Sequence, residues 1–335
     1  IEDIGGSFMC TGFSILSPQK VNYLARTMDF DFEFNGIPIA VPSRYHWEFD
    51  IAGIHQMQYG FIGTGVMVGK YRFGDGVNEQ GLAVSNHYFT GEASYAEELR
   101  KDYFNMAPEE FILWVLGFND SIAMLKEKVD QVNIVALENK ALGKVPPLHF
   151  IITDETGATI SIEPHHGLLV VKDNPVHVLT NNPKLEWHLE NLRNHVHLSP
   201  VSGQQKQFGE KLFSTLGVEG GTHGLPGGFT SEERFVRAAY LRHHLELDTE
   251  QEFKNLNNCF KVLDNVSIPR GAVTENGIAH YTQYQCVMDC KHRSYFIKPY
   301  NSSDVFQVDL NETLLNKKEI TYFSLDKPFS TQRLN

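Results

Sequence analysis

The chain has 335 residues, of which 41% are hydrophobic and 12% aromatic, a composition typical of a folded globular protein. Its 29 lysine and arginine residues are outnumbered by 41 aspartate and glutamate residues, so the formal charge is −12. This charge argues against nonspecific binding to nucleic acid or to an anionic membrane surface, and no apolar run reaches the roughly 18 to 20 residues that a membrane helix needs. We therefore expect small molecules or other proteins as partners.

The four cysteines are sparse for a chain of this length and follow no secretory segment, which predicts free thiols in a cytoplasmic protein. They are Cys10, Cys259, Cys286 and Cys290. Cys286 and Cys290 have a zinc-like spacing, but the residues before them have a strand pattern and no second cysteine pair exists. We therefore predict no structural metal.

The first predicted element is a β-hairpin. Apolar residues between Gly12 and Phe30 recur with strand-like spacing on both sides of a polar turn at 17–20, which places Cys10 at the first residue of a strand. Short strands at Ile37–Val41, 58–68 and 72–84 are predicted to continue as an antiparallel meander.

A pair of helices is predicted next. One begins at Pro108, and Ser121 belongs to the cap of a second that runs to about Val132. Three strands joined by short turns follow at 148–153, 158–163 and 168–171, and a further strand ends near Leu179.

The C-terminal third contains two predicted helices and then strands. Thr230 and Glu233 form a capping box at the start of one helix, with Arg234 just beyond its first turn, and another helix runs over 250–263. Strands are predicted at 280–288, 294–298 and 305–310. Runs of strands separated by helix pairs favour an α+β class with mainly antiparallel sheets, in one domain.

Cys10 would gain a second function if proteolysis made it the first residue of the chain. Its thiol would be a nucleophile, and its free α-amine, with a reference pKa of about 8, could accept a proton at neutral pH. Arg26 and Asp29 on the paired strand lie within reach, where an arginine favours the thiolate and an aspartate could orient the ammonium. On spacing alone, the alternative is a buried core cysteine beside an ordinary surface ion pair.

Five sequence blocks, in the same order, resemble the choloylglycine hydrolases, a family that contains penicillin V acylases and bile-salt hydrolases. The resemblance extends from Cys10 to the C-terminus. The blocks are Met9-Cys10-Thr11-Gly12, Ala25-Arg26-Thr27-Met28-Asp29-Phe30, Asp75-Gly76-Val77-Asn78-Glu79-Gln80-Gly81-Leu82, Leu179-Thr180-Asn181-Asn182-Pro183 and Gly224-Leu225-Pro226-Gly227 with Arg234-Phe235-Val236-Arg237.

The resemblance implies an N-terminal-nucleophile hydrolase with four layers, αββα, two antiparallel sheets and a homotetrameric assembly. It implies amide hydrolysis through a thioester, which needs no metal and no organic cofactor. The implied roles are Cys10 as nucleophile and base, Arg26 and Asp29 as groups that tune and orient it, Asn181 and the Tyr88 backbone N–H as oxyanion donors, Arg234 as part of the polar cluster, and Met28 as a lining residue of the acyl pocket.

The substrate is expected to be a small-molecule amide. Tyr88 and the segments 269–273 and 281–284 resemble the penicillin V acylase branch, so the sequence predicts acylase-like activity, with conjugated bile-salt hydrolysis as the alternative. A non-catalytic binding protein of the same fold would be expected to have lost members of the polar cluster. A papain-like hydrolase would require a helix N-terminus beneath the cysteine, where this sequence has a strand pattern.

Residues 1–9 precede the proposed nucleophile, and we expect them to be a pre-sequence or an expression remnant, with 10–335 forming a single hydrolase domain. While these residues remain attached, the Cys10 nitrogen is an amide and cannot act as a base. The unprocessed chain is therefore expected to be inactive, with the extra segment occupying or crossing the substrate cleft.

Overall fold

The computed structural model describes residues 9–140, 142–203 and 205–334. The strands of this part, β1 to β22, are Met9–Leu16, Asn22–Phe30, Ile37–Val41, His46–Phe49, Gly53–Gln56, Phe61–Val68, Lys70–Phe73, Asp75–Asn78, Ala83–Tyr88, Phe104–Met106, Val132–Ile134, Leu148–Thr153, Thr159–His165, Leu168–Asp173, Val178–Leu179, Lys206–Phe208, Lys211–Phe213, Val273–Glu275, Ile278–Asp289, Ser294–Pro299, Phe306–Asp309 and Thr321–Tyr322.

Helices cover the outer faces of the sheets. The α-helices, α1 to α6, are Phe111–Phe118, Ile122–Lys128, Leu185–Asn191, Ser231–His244, Glu252–Val266 and Glu312–Leu315. Short 3₁₀ helices are Pro108–Glu110, Val129–Gln131, Leu192–His195 and Gly220–Thr222. Within the described ranges, none of the helices is long and apolar enough to cross a membrane.

Two large antiparallel sheets form the centre of the molecule. The first has the strand order β15-β1-β2-β19-β20-β21, with β18 paired to β19, and the second has the order β14-β13-β12-β9-β8-β6-β3-β22, with β7 paired to β6. Helices α4 and α5 pack on the outer face of the first sheet, and α1 packs on the second sheet against β8 and β9. The expected four-layer αββα arrangement is confirmed.

Strand β2 shows how the sequence builds this sandwich. Successive side chains of a strand point to opposite faces. Leu24 and Met28 therefore join the core between the two sheets, whereas Tyr23 and Ala25 join the core under α4 and α5. Burying each large apolar side chain stabilises the fold by about 1.5–3 kcal/mol. Because β2 is buried on both faces, it can present polar side chains both to the core between the sheets and to the core under α4 and α5.

Local patterns in the sequence predicted several elements correctly. The hairpin formed by β1 and β2, with its turn near Ser17, is confirmed, and so is the capping box ahead of α4. The predicted free thiols are also confirmed, because all four cysteines are unpaired and buried.

Two predictions about element bounds were wrong. The segment predicted as one strand over 72–84 contains β7, β8 and β9, because the chain turns at Gly74 and again at Gly81, where φ is +82°. Helix α2 ends at Lys128, and Val132 begins a strand that pairs in parallel with β10. The β4–β5 and β16–β17 hairpins and helix α3 were not predicted.

Candidate active site

Cys10 lies at the start of the central hairpin, and β-sheet register sets its neighbours. It pairs with Met28 across β1 and β2, and Gly12 pairs with Arg26. Since residues directly opposite in a sheet share a face, Cys10 and Met28 both face the second sheet, and so does Arg26, two residues from Met28. The Cys10 side chain is buried, with 2% relative exposure.

Arg26 contacts the thiol directly. Nη2 of Arg26 donates to Cys10 Sγ at 2.9 Å, and the whole side chain is buried between the sheets. The guanidinium has five N–H donors, and each has an acceptor. These acceptors are Cys10 Sγ at 2.9 Å, Asp75 Oδ2 at 3.0 Å, Thr27 O at 3.1 Å, Gly74 O at 3.2 Å and Asn86 O at 3.4 Å.

Burial and the neighbouring charges have opposite effects on the pKa values of Cys10 and Arg26. Burial raises the pKa of the Cys10 thiol, and the positive charge of Arg26 lowers it by less, so the net pKa is raised. For Arg26, burial alone would lower the pKa, but Cys10, Tyr284 and Asp75 outweigh it and raise the pKa. Burial therefore favours the protonated thiol, and the charge of Arg26 offsets only part of this effect.

Asp29 lies on the other face of β2. Its carboxylate accepts the hydroxyls of Thr27 at 3.1 Å and Thr282 at 2.5 Å. Burial raises its pKa, with Arg234 acting against this. Two residues that are three apart in a strand point to opposite faces, so Arg26 approaches the thiol from between the sheets while Asp29 lies on the helix side.

Asn181 bonds the backbone nitrogen of Cys10. Its Oδ1 accepts the Cys10 N–H at 2.9 Å, and its Nδ2 donates to Tyr88 O at 2.9 Å. The Asn181 backbone is held in turn, because its N–H donates to Ser231 Oγ at 3.0 Å at the start of α4. Asn181 thus bonds β1 and β9 through its side chain and α4 through its backbone N–H.

Arg234 comes from the first turn of α4 and is completely buried. The capping box of Thr230 and Glu233 fixes this turn. Arg234 Nη1 donates to Cys10 O and to Thr11 Oγ1, each at 2.6 Å, and Nη2 donates to Asn181 Oδ1 at 2.8 Å. Burial lowers its pKa, and Asp29 opposes this. Arg234 is therefore held inside the polar cluster and has no contact with solvent.

Tyr88 ends strand β9 beside the thiol. Phe89 N–H donates to Pro147 O on one side of β9, whereas Asn86 N–H donates to Gly74 O on the other side. Because N–H directions alternate along a strand, the Tyr88 N–H points to the same side as that of Asn86. Gly74, Asn86 and Tyr88 also line a cavity.

The cavity has a volume of about 310 Å³ and is mainly apolar. Met28 and Tyr88 are among its lining residues. That this cavity is the acyl pocket predicted for Met28 stays a prediction. Its other apolar lining residues include Phe30, Phe32, Phe34, Val66, Phe73 and Leu148. Cys10 pairs with the lining residue Met28 across β1 and β2, so the cavity lies beside the strands that carry the thiol.

The structure thus brings together Cys10, Arg26, Asp29, Tyr88, Asn181 and Arg234. Sequence reasoning missed Asp75, which bonds Arg26, and His149 and His188, whose rings contact the Thr180 and Asn181 carbonyls. Asp75 begins one of the five sequence blocks that resemble the choloylglycine hydrolases, but that resemblance was not used to assign it a role. The histidines carry no local signal.

Metal-ligating side chains are not clustered in the described ranges, where no group of three or more His, Cys, Asp or Glu residues is placed to hold an ion. Cys286 and Cys290 both lie buried near the end of β19.

Known proteins resemble this chain over nearly its whole length. A family model described as linear amide C-N hydrolases, choloylglycine hydrolase family, matches residues 10–323. A bile salt hydrolase/transferase from Clostridium perfringens is 30% identical over 331 residues, covering 98% of this chain and 100% of that protein.

Two solved structures share the architecture. A mutant conjugated bile acid hydrolase from Clostridium perfringens matches with a TM-score of 0.88 at 29% identity, covering 97% of this chain and 100% of that chain. A penicillin V acylase from Agrobacterium tumefaciens matches with a TM-score of 0.73 at 22% identity, covering 93% of this chain and 90% of that chain. The fold is therefore that of these hydrolases, and the family match begins at Cys10.

Proposed function

Because this chain belongs to the choloylglycine hydrolase family of linear amide C–N hydrolases, we propose that it hydrolyses conjugates of an apolar acyl group with an amino-acid amine, as in conjugated bile salts. The observation that carries this proposal is the double contact at Cys10. Its Sγ accepts from Arg26 Nη2 at 2.9 Å, and its nitrogen donates to Asn181 Oδ1 at 2.9 Å.

In the first step the Cys10 thiol attacks the amide carbon. The thiol proton passes to the free α-amine of Cys10, which becomes an ammonium, while the carbon–sulfur bond forms. Arg26 stabilises the sulfur's negative charge as the proton leaves, and Asn181 Oδ1 accepts a hydrogen bond from the ammonium. The raised thiol pKa makes this base necessary at neutral pH.

The tetrahedral oxyanion would lie at the mouth of the cavity. The Asn181 side-chain amide and the Tyr88 backbone N–H are the proposed donors, and preorganised donors of this kind each stabilise the transition state by about 3 kcal/mol. Collapse of the intermediate breaks the carbon–nitrogen bond, and the α-ammonium returns its proton to the leaving amine. Water then attacks the thioester, with the α-amine again as base, and the acid is released.

The ranking of substrates reverses the one predicted from sequence. Penicillin V acylase-like activity was favoured on the resemblance of Tyr88 and two short segments. The relative that is 30% identical is named a bile salt hydrolase/transferase, whereas the penicillin V acylase structure is only 22% identical and supports the fold alone. Conjugated bile salts therefore become the first candidate.

Penicillin V is the second candidate, and the cavity favours it. A volume of about 310 Å³ lies at the lower end of the roughly 300–1,000 Å³ found for small-molecule pockets. Aromatic rings from Phe30, Phe34, Phe73 and Tyr88 line the space, which suits a single aromatic ring better than a fused ring system.

The test compares kcat/KM for glycocholate, taurocholate and penicillin V on protein that begins at Cys10. The proposal expects one of the bile salts to be preferred by more than about tenfold, equal to about 1.4 kcal/mol. A preference of the same size for penicillin V would reverse the ranking, and failure to hydrolyse any of the three would contradict both candidates.

Processing and assembly complete the proposal. We propose that 10–335 forms the hydrolase domain and that 1–9 must be removed to free the Cys10 amine. Met9 continues β1 and pairs with Asp29, whereas the predicted path of the extra segment across the cleft concerns residues 1–8, which lie outside the described residues. The homotetramer is proposed from the family resemblance, and the exposed apolar residues Phe208, Leu212 and Phe213 of the β16–β17 hairpin would suit a contact between subunits. Light scattering coupled to size exclusion tests the tetramer.

A further inference from the structure

Asp75 is a buried carboxylate that joins the two sheets. It begins β8 in the second sheet and has no solvent exposure. Its Oδ2 accepts from Arg26 Nη1 at 3.0 Å and from Tyr284 OH at 2.7 Å, both from the first sheet. Its Oδ1 accepts from Tyr295 OH at 2.5 Å and from Thr64 N–H at 3.1 Å. Four donors therefore fix the carboxylate in position.

Arg26 connects this carboxylate to the thiol through one rigid group. Nη1 bonds Asp75, while Nη2 of the same guanidinium bonds Cys10 Sγ at 2.9 Å. Because a guanidinium is planar, fixing one terminal nitrogen also fixes the direction of the other. We propose that Asp75 is a positioning residue for amide hydrolysis, which holds Arg26 in the orientation that contacts the Cys10 thiol. This inference rests on the proposed function.

The surroundings of Arg26 are shaped for this orientation. A Cβ at Gly74 would lie 2.3 Å from Met28 Cε, 3.1 Å from Arg26 Nη1 and 3.2 Å from Tyr284 OH. A side chain at this position would displace the Met28 methyl group and would press on the Arg26 guanidinium and the Tyr284 hydroxyl. The Gly74 carbonyl also accepts from Nη1, at 3.2 Å, so the backbone and the carboxylate bind the same nitrogen.

The negative charge of Asp75 is a second reason to assign it this positioning role. A buried arginine without a counterion is strongly unfavourable, and the Cys10 thiol is neutral before the reaction begins. Asp75 gives Arg26 a permanent partner that does not depend on the state of the sulfur. The charged groups that act most strongly on the thiol are Arg26, Asp29 and Arg234, so Asp75 acts on the sulfur through Arg26.

The test uses Asp75→Asn, Arg26→Met and the double variant, each beginning at Cys10. Asparagine keeps the size but removes the charge and one acceptor. We expect kcat to fall about 100-fold with KM nearly unchanged, the loss typical of a misplacement of about 1 Å. The pH profile of Cys10 alkylation by iodoacetamide, located by peptide mass spectrometry, should move to higher pH in Asp75→Asn, and we expect the same direction of change in Arg26→Met. The double variant should resemble Arg26→Met alone.

Additive losses in the double variant, or an unchanged alkylation profile in Asp75→Asn, would overturn the proposal, because two residues that act as one unit are not additive. If Asp75→Asn does not fold, Asp75→Glu and Tyr295→Phe replace it. Asp75→Glu displaces the carboxylate and should shift the profile, whereas Tyr295→Phe leaves Oδ2 with Arg26 and should shift it less. Equal alkylation profiles in Asp75→Glu and Tyr295→Phe would also overturn the proposal.

The alkylation measurement needs no turnover. If the unaltered protein hydrolyses no amide, the proposed function fails while the effect of Asp75 on the thiol is still measured. If hydrolysis is found and the alkylation profile does not respond to Asp75, the positioning role alone fails.

Discussion

The backbone nitrogen of Cys10 donates to Asn181 Oδ1 at 2.9 Å. The atom that would become the α-amine of a processed chain therefore already has an acceptor, and the same side chain donates from Nδ2 to Tyr88 O. Asn181 can thus orient the proposed base on one side and help to bind the oxyanion on the other.

Replacing Cys10 by serine should abolish hydrolysis and preserve the fold. A serine Oγ can accept the Arg26 hydrogen bond, but it is a much weaker nucleophile, so kcat should fall at least about 10³-fold. The matched control is Cys259→Ser in α5, a buried cysteine that packs in the core under the helices. This control should lower the melting temperature and leave kcat of the folded protein unchanged. Turnover by Cys10→Ser within tenfold of the unaltered protein would contradict the nucleophile assignment.

Replacing Asn181 by aspartate removes the amide donor and keeps an acceptor for the Cys10 nitrogen. We expect kcat to fall by about 10² to 10³, the usual effect of removing one oxyanion donor, with a smaller change in KM. Asn174→Asp is the control, because Asn174 Nδ2 donates to Val178 O at 2.9 Å and to Ser161 Oγ at 3.0 Å, outside the site. Asn174→Asp should lower the stability of the fold and leave kcat unchanged. Equal kcat losses in the two variants would contradict an oxyanion role.

A methyl group at Gly74 should disturb the contact between Arg26 and the thiol. In Gly74→Ala the new Cβ would lie 3.1 Å from Arg26 Nη1 and 2.3 Å from Met28 Cε. We expect a loss of stability of about 1–3 kcal/mol from overpacking and at least a tenfold loss in kcat/KM. A Cβ at Gly227 meets no atom within 4 Å, so Gly227→Ala should change stability by less than about 0.5 kcal/mol. Unaltered kinetics in Gly74→Ala would show that the site tolerates the displacement.

Acid should destabilise the fold through buried histidines near Asn181. Burial lowers the pKa of His149 to about 3 and that of His188 to about 4. Their Nε2 atoms lie 3.1 Å from Thr180 O and 3.3 Å from Asn181 O. Because an unfolded histidine has a pKa of about 6.5, the unfolded state binds more protons below that pH, and stability falls as the pH drops toward the folded pKa values.

Melting temperatures measured from pH 7 to pH 4.5 test this prediction. His188→Gln removes one titrating group and should flatten the decline, whereas the exposed His243→Gln should leave its slope unchanged. A melting temperature that does not change over this range, or the same slope in both variants, would contradict the role of burial.

The parts of the site that sequence could predict depend on short-range patterns. Alternating apolar residues give the β1–β2 hairpin, and a capping box gives the start of α4, so the approximate positions of Cys10, Arg26 and Arg234 follow. Strand spacing alone also placed Asp29 within reach. It did not separate the two faces of β2, and the structure places the Asp29 carboxylate against Thr27 and Thr282.

The remaining contacts arise from packing between distant segments. Arg26 and Asp75 are 49 residues apart and meet because β2 and β8 belong to opposite sheets. Cys10 and Asn181 are 171 residues apart and meet because β15 pairs with β1. No local pattern encodes either distance. Substrate choice depends on the cavity shape, which many side chains from separate strands determine together, so short motifs alone do not determine it.

The central claim is that hydrolysis requires Cys10 to be the first residue of the chain. The most direct measurement follows hydrolysis of glycocholate and penicillin V while intact-mass spectrometry records the N-terminus of the same sample. We predict that turnover appears only in proportion to the fraction of molecules that begin at Cys10, and that a sample kept intact from Ile1 is inactive. Full activity in molecules that still carry Ile1 would contradict the role of the free Cys10 amine.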